Sequence, residues 1–284
     1  MVSKCHSNKW RRIIKKRIER KKHLFYNETS SKDKTIVKKR VSMENVKQYK
    51  NYIFDLYGTL VDIHTEEQKD SLWEALAGFY GEHGAIYTKE ELKQTYENLV
   101  KEKEATYSHE AYPEVQLELV FQAMFLKKGI FAALSLSIEA GQKFRTLSTE
   151  YIRLYDGAKQ LLQSLREQKK GVYLLSNAQE IFTMPELEQL GIKELFDGIF
   201  ISSTKRCKKP DQKFFEMLFE QYDLEKDTCL MIGNDENTDI FGANQVGIDS
   251  FYIHSNLSPE WTGTIKSTYR LDKMDLPYLI SCLT

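Results

Sequence analysis

The chain has 284 residues, 41% apolar and 12% aromatic, enough to bury a real core, which excludes a wholly disordered protein. It contains no run of roughly 18 consecutive apolar residues, so no membrane-spanning helix is expected. The zero net charge conceals a division: residues 1–50 carry 17 Lys and Arg against 4 Asp and Glu, a net of +13, and the remainder carries −13.

Residues 1–46 read as a basic arm. Trp10, Ile13, Ile14 and Ile18 recur at helical spacing among Arg11, Arg12, Lys15, Lys16, Arg17 and Lys21, and a polar stretch over 27–40 follows. Such an arm can hold nucleic acid or an anionic surface. It is equally a solvated tail, or an extension ahead of a start at Met43. The last two readings together are preferred, and a chain beginning at Met43 is expected to keep its first strand and its activity. The arm's charges are not followed by an apolar stretch, so a secretory signal is not expected. Cys5, Cys207, Cys229 and Cys282 lie far apart without a Cys-x-x-Cys pair, which points to reduced thiols and a cytoplasmic location.

From Asn51 the pattern changes. Tyr52-Ile53-Phe54 is a short apolar run, and similar runs follow at 172–175, 199–201, 230–232 and 251–253. Each is too short for a buried helix. Helical patterns lie between most of them, at 157–168 with Ala158, Leu161, Leu162 and Leu165 on one face, and at 212–222 with Phe214, Phe215, Leu218 and Phe219. Short buried strands alternating with helices predict an α/β fold, a Rossmann-like parallel sheet with helices on both faces. Residues 66–155 are the exception. They show no clear strand and predict four helices, near 67–82, 88–106, 114–128 and 136–153. The expected organisation is therefore an α/β core domain from 47–65 and 156–284, with a helical bundle over 66–155 inserted as a cap.

Polar residues cluster where the predicted strands end, the edge at which doubly wound sheets bind ligands. The first strand runs into Asp55-Leu56-Tyr57-Gly58-Thr59-Leu60, the second into Ser176-Asn177, and the fourth into Gly233-Asn234-Asp235 and on to Asp239. Lys208-Lys209-Pro210-Asp211 follows the third. Phe54-Asp55-x-x-Gly58-Thr59-Leu60 resembles the first motif of the haloacid dehalogenase-like hydrolases. Ser176 is similar to their second motif, Lys209-Pro210 to the third, and Asp235 with Asp239 to the fourth. The resemblance spans about residues 50–255, and it implies catalytic roles for Asp55, Tyr57, Thr59, Ser176, Asn177, Lys209 and Asp239.

Those residue types suit that chemistry. A carboxylate such as Asp55 can attack phosphorus and form an aspartyl-phosphate that water then cleaves. Attack of an anion on an anion needs positive charge. Mg²⁺ is the expected cofactor, held by Asp55, the carbonyl of Tyr57 and Asp235. Lys209 adds a point charge. Ser176 and the Asn177 N–H can bind phosphoryl oxygens. Asp239, one helical turn beyond Asp235, can hold a metal-bound water or orient Lys209.

Two features depart from the resemblance. Phosphatases of this superfamily carry a second Asp two residues after the nucleophile, as general acid and base; here that residue is Tyr57, as in the 2-haloacid dehalogenases. Those dehalogenases, however, work without a metal, lack the Asp235 carboxylate and carry an early Arg, whereas this chain has no Arg between Arg40 and Arg145. A Mg²⁺-dependent phosphatase of a small phosphorylated metabolite therefore ranks first, a dehalogenase second and a non-catalytic binding protein third. His64 after motif one, and His109, Arg145 and Arg153 in the cap, are candidate substrate contacts, each more simply read as a surface or packing residue.

Overall fold

In a computed structural model, which describes residues 46–107, 111–260 and 263–283, the five apolar runs are strands of one parallel sheet. All described residues belong to the unit Arg40–Thr284. The basic arm, apart from Val46, and His109 lie outside the described residues.

The chain opens with β1 (Asn51–Phe54), turns through Gly58 into β2 (Val61–Thr65), and enters four helices: α1 (Asp70–Glu82), α2 (Lys89–Thr106), α3 (Leu117–Lys127) and α4 (Leu134–Ser148). It returns by β3 (Thr149–Leu154) and then alternates α5 (Ala158–Glu167), β4 (Gly171–Ser176), α6 (Glu180–Gln189), β5 (Gly198–Ile201), the short α7 (Ser202–Lys205), α8 (Gln212–Tyr222) and β6 (Cys229–Gly233). A π-turn (Glu236–Ile240), α9 (Phe241–Val246), β7 (Asp249–Ile253), β8 (Tyr269–Leu271) and α10 (Leu276–Leu283) complete it. The sheet order is β5-β4-β1-β6-β7-β8, with every pairing parallel.

Strand alternation builds two cores. Tyr52, Phe54, Leu174 and Ile232 point to one face, against Leu161, Leu162 and Leu165 of α5 and Leu279 and Leu283 of α10. Ile53, Leu175 and Met231 point to the other, against Phe214, Phe215 and Leu218 of α8 and Ala243 of α9. The central strands are thus buried on both faces, which is why their sequences read as unbroken apolar runs rather than alternating ones.

The insertion has its own aromatic core. Trp73, Tyr80, Phe121, Phe125 and Phe144 are buried together with Leu72, Leu76, Leu92 and Met124. Two residues of α6, Ile181 and Phe182, join this cluster from the sheet side. Gly141 of α4 allows the approach, since a Cβ there would lie 2.5 Å from Ile181 Cδ1.

One expectation is corrected. The helix expected over 136–153 ends at Ser148, and the residues beyond it form β3, antiparallel to β2. Thr149, Tyr151 and Ile152 favour strand, but a six-residue segment without a visible partner carries no clear period. Its partner β2 follows a tight turn and carries no clear period for the same reason. The ribbon is fixed by Asp62, whose buried carboxylate accepts from Arg153 Nη2 at 2.7 Å and Asn256 Nδ2 at 2.8 Å. The last strand of the sheet, β8, has three residues, too few to carry a strand pattern in sequence.

Candidate active site

The register of the sheet assembles the site. Phe54 lies opposite Leu174 on one side and Ile232 on the other, so Asp55, Ser176 and the segment from Gly233 to Asp235 leave the sheet at one edge. β1 sits between neighbours reached by connections running in opposite directions, the switch point where such sheets open a crevice. The turn after Asp55 needs its glycine. Gly58 has φ +89°, and a Cβ there would meet Asn234 Nδ2 at 2.2 Å.

Lys209 is the centre of the charge arrangement. Its side chain is 1% exposed, with Nζ 2.7 Å from Asp55 Oδ1 and 2.7 Å from Asp239 Oδ1. Burial alone would lower the lysine pKa, but Asp239 and Asp55 outweigh it and hold the ammonium above its ordinary value. Burial pushes the Asp239 carboxyl up to about 7, while Lys209 pulls it down and Asp55 adds to the rise. The second oxygen of Asp239 accepts from the Asp235 N–H at 3.0 Å. Both oxygens of Asp239 are therefore engaged in mounting Lys209 and the π-turn, which favours the orienting role over a hold on metal-bound water.

Asn177 has a job that its position in sequence did not reveal. Its Nδ2 donates to the Lys209 carbonyl at 2.9 Å and its Oδ1 accepts from the Lys209 N–H at 2.8 Å. The side chain thus clamps the lysine's backbone across 32 residues of sequence. Ser176 Oγ is buried and has no hydrogen-bond partner among the described residues, a hydroxyl available to a ligand. The Thr59 hydroxyl lies 3.3 Å from both Asp55 Oδ2 and Asn234 Oδ1.

Asp55, Thr59, Asn177, Lys209, Asp235 and Asp239 are thus joined by direct contacts. The hydroxyl of Tyr57 goes elsewhere. It donates to Glu186 Oε2 at 2.5 Å and lies 3.0 Å from Thr183 Oγ1. Burial, then the Glu186 charge, hold the phenol well above its usual pKa. Glu186, on α6, did not stand out in the sequence, since Pro185 beside it obscures the helix. The other cap candidates are engaged: Arg145 pairs with Glu186 and Arg153 with Asp62. His64 is exposed and stacks on Tyr151.

Among the described residues no group of three or more His, Cys, Asp or Glu side chains is arranged to hold a metal. The donors available at the edge are oxygens: the Asp55 carboxylate, whose Oδ2 lies 3.3 Å from the Thr59 hydroxyl, the carboxylate of part-exposed Asp235, whose Oδ1 accepts from the Asn237 N–H at 2.8 Å, and the Tyr57 carbonyl. Two carboxylates and a carbonyl, completed by water and substrate, match the ligand habit of Mg²⁺, which keeps several waters and does not need an all-protein cage.

A model of the haloacid dehalogenase-like hydrolase family matches residues 49–247. The pyrimidine 5'-nucleotidase PynA of Streptococcus pneumoniae is 33% identical over 129 residues, 45% of this chain and 51% of that protein, so the match spans about half the relative's length. The glyceraldehyde 3-phosphate phosphatase of Pyrococcus abyssi is 24% identical over 201 residues, 70% of this chain and 79% of the relative. Among solved structures, a 2-haloacid dehalogenase from Pseudomonas syringae superposes with a TM-score of 0.59 at 17% identity, covering 83% of this chain and 98% of that one. This last likeness is one of fold.

Proposed function

The chain belongs to the haloacid dehalogenase-like hydrolases, and from that premise we propose that it is a Mg²⁺-dependent phosphatase of a small phosphorylated metabolite, with Asp55 as nucleophile. The observation that carries the proposal is the charge arrangement at the edge of the sheet. One buried lysine lies between two carboxylates, and Asp235 adds a third where metal-free relatives have none. Relatives bearing phosphatase and nucleotidase names support the substrate class.

In this reading the Asp55 carboxylate attacks phosphorus through one of its oxygens, the bond to the leaving oxygen breaks, and water then attacks the phosphoryl group to return free Asp55 and inorganic phosphate. Lys209 offsets negative charge on Asp55 and on the transferring group. The Ser176 hydroxyl, without a partner among the described residues, donates to a phosphoryl oxygen. Asp55, Asp235 and the Tyr57 carbonyl would hold Mg²⁺, which when bound would supply further positive charge for the transferring group.

Tyr57 supplies no general acid here. Its proton is committed to Glu186 and its pKa is raised, so the leaving oxygen departs unprotonated or takes its proton from the substrate. General acid catalysis is typically worth about 10²–10⁴-fold, so aryl and acyl phosphates are expected to react at least about 10²-fold faster than alkyl phosphates in single turnover.

The second reading, a dehalogenase, is favoured by Tyr57 itself, since halide leaves without a proton. A panel of acyl, aryl and sugar phosphates, nucleotides and 2-haloacids, each with and without Mg²⁺, separates the two. Phosphate release that is lost in excess chelator is the expected result. Halide release that persists in chelator would replace the phosphatase reading with the dehalogenase one.

A further inference from the structure

The cap meets the sheet domain on α6. Ile181 and Phe182, near its start, are buried in the cap's aromatic cluster. One turn further along α6 the apolar contact gives way to charge. Arg145, on the last turn of α4, lies over the rings of Tyr57 and Phe182, 5.6 and 5.5 Å from their centroids. Its Nε donates to Glu186 Oε1 at 2.6 Å and its Nη2 to Oε2 at 3.5 Å. The Glu186 side chain is only 10% exposed, and the same Oε2 accepts the Tyr57 hydroxyl. Tyr57 stands two residues from Asp55. A three-residue chain therefore runs from the cap, through a carboxylate on α6, to the turn that carries the nucleophile.

A carboxylate this deeply buried is stable as an ion only while a cation faces it. Among the described residues the ion-pair partner of Glu186 is Arg145, and Arg145 sits on α4, which leads directly into β3 of the ribbon joining cap to core. If α4 moves off α6, Glu186 loses that partner and must take up water, and water competes for the oxygen that now accepts from Tyr57.

We propose that Glu186 makes docking of the cap and placement of Tyr57 a single event, with Arg145, Glu186 and Tyr57 as positioning residues for Asp55. Its consequence for turnover rests on the function proposed above; the coupling itself does not. Coupling of this kind is reciprocal: what cap docking does for Tyr57, the Tyr57 hydroxyl does for cap docking. Tyr57→Phe keeps the Arg145–Glu186 ion pair and removes only the hydroxyl, so it is the variant least disturbing to the fold.

The test is amide hydrogen exchange of the full chain, read over residues 141–148 of α4 with α10 as control, in the wild type, Tyr57→Phe, Glu186→Gln and the double variant. Turnover of p-nitrophenyl phosphate with Mg²⁺ is measured alongside. Tyr57→Phe is expected to speed exchange in α4 by about 5-fold or more while α10 is unchanged, and the double variant should exchange no faster than Glu186→Gln alone. Turnover should show kcat falling with KM changed less than about twofold, the sign of lost transition-state placement rather than lost binding. Wild-type exchange in α4 of Tyr57→Phe would overturn the proposal, as would independent effects that multiply in the double variant, or a rise shared equally by α10. Exchange needs no substrate, so a wild type that turns over nothing would count against the proposed function and leave this test decisive for the coupling.

Discussion

Asp55→Asn is expected to lower single-turnover phosphate release by about 10⁴-fold or more, the scale on which removal of a nucleophile is felt, and to leave the fold intact. An amide is a poor nucleophile, so the chemical step is lost. The surroundings tolerate the change because Lys209 keeps its ion pair with Asp239 at 2.7 Å, and the Asn oxygen can still accept from the lysine. Melting temperature measured in chelator should therefore move by only a few degrees. A variant that retains more than about a hundredth of wild-type turnover would show that Asp55 does not bond to the substrate.

Lys209→Met is expected to have the largest effect on stability. The lysine side chain is 1% exposed, and Asp239 opposite it is equally buried. Methionine fills much of the same space but leaves two carboxylates facing each other without a cation. Removing one partner of a buried pair typically costs about 3–5 kcal/mol, which for a domain of this size lowers Tm by roughly 6–20 °C. Activity should be lost as well. The cause is separable: Lys209→Met with Asp239→Asn removes one of the stranded charges and should recover part of the lost Tm but none of the turnover. Equal Tm values for wild type and Lys209→Met in chelator would contradict the buried triad.

Much of this arrangement was legible in the sequence because the relevant signals are local. Tyr52 to Phe54, Leu174 with Leu175, and Leu230 to Ile232 are short runs buried on both faces, and polar residues directly after them must emerge at one edge of a parallel sheet. That logic alone places Asp55, Ser176 and Asp235 at one edge of the sheet. What was not legible depends on partners distant in sequence. Asn177 clamps Lys209, 32 residues away, and either residue alone reads as a loop polar group. Tyr57 finds Glu186 across 129 residues. β3 takes its strand character from pairing with β2, whose Val61 lies opposite Leu154; local propensity in six residues was too weak to override the helical reading that led up to it. Arg145 and Arg153, which the sequence reads more simply as surface or packing residues than as substrate contacts, are charge partners for the buried acids Glu186 and Asp62, partners that only tertiary contacts reveal.

The proposed phosphatase chemistry requires a covalent bond to Asp55. The most direct measurement is rapid quench in acid during the first turnover of acetyl phosphate or p-nitrophenyl phosphate with Mg²⁺, followed by mass spectrometry of the peptide that carries Asp55. The expected result is a transient adduct of one phosphoryl group on Asp55, formed no more slowly than the leaving group is released and absent in Asp55→Asn. Release of phosphate with Asp55 unmodified at every quench time, or an adduct on any other residue, would contradict it.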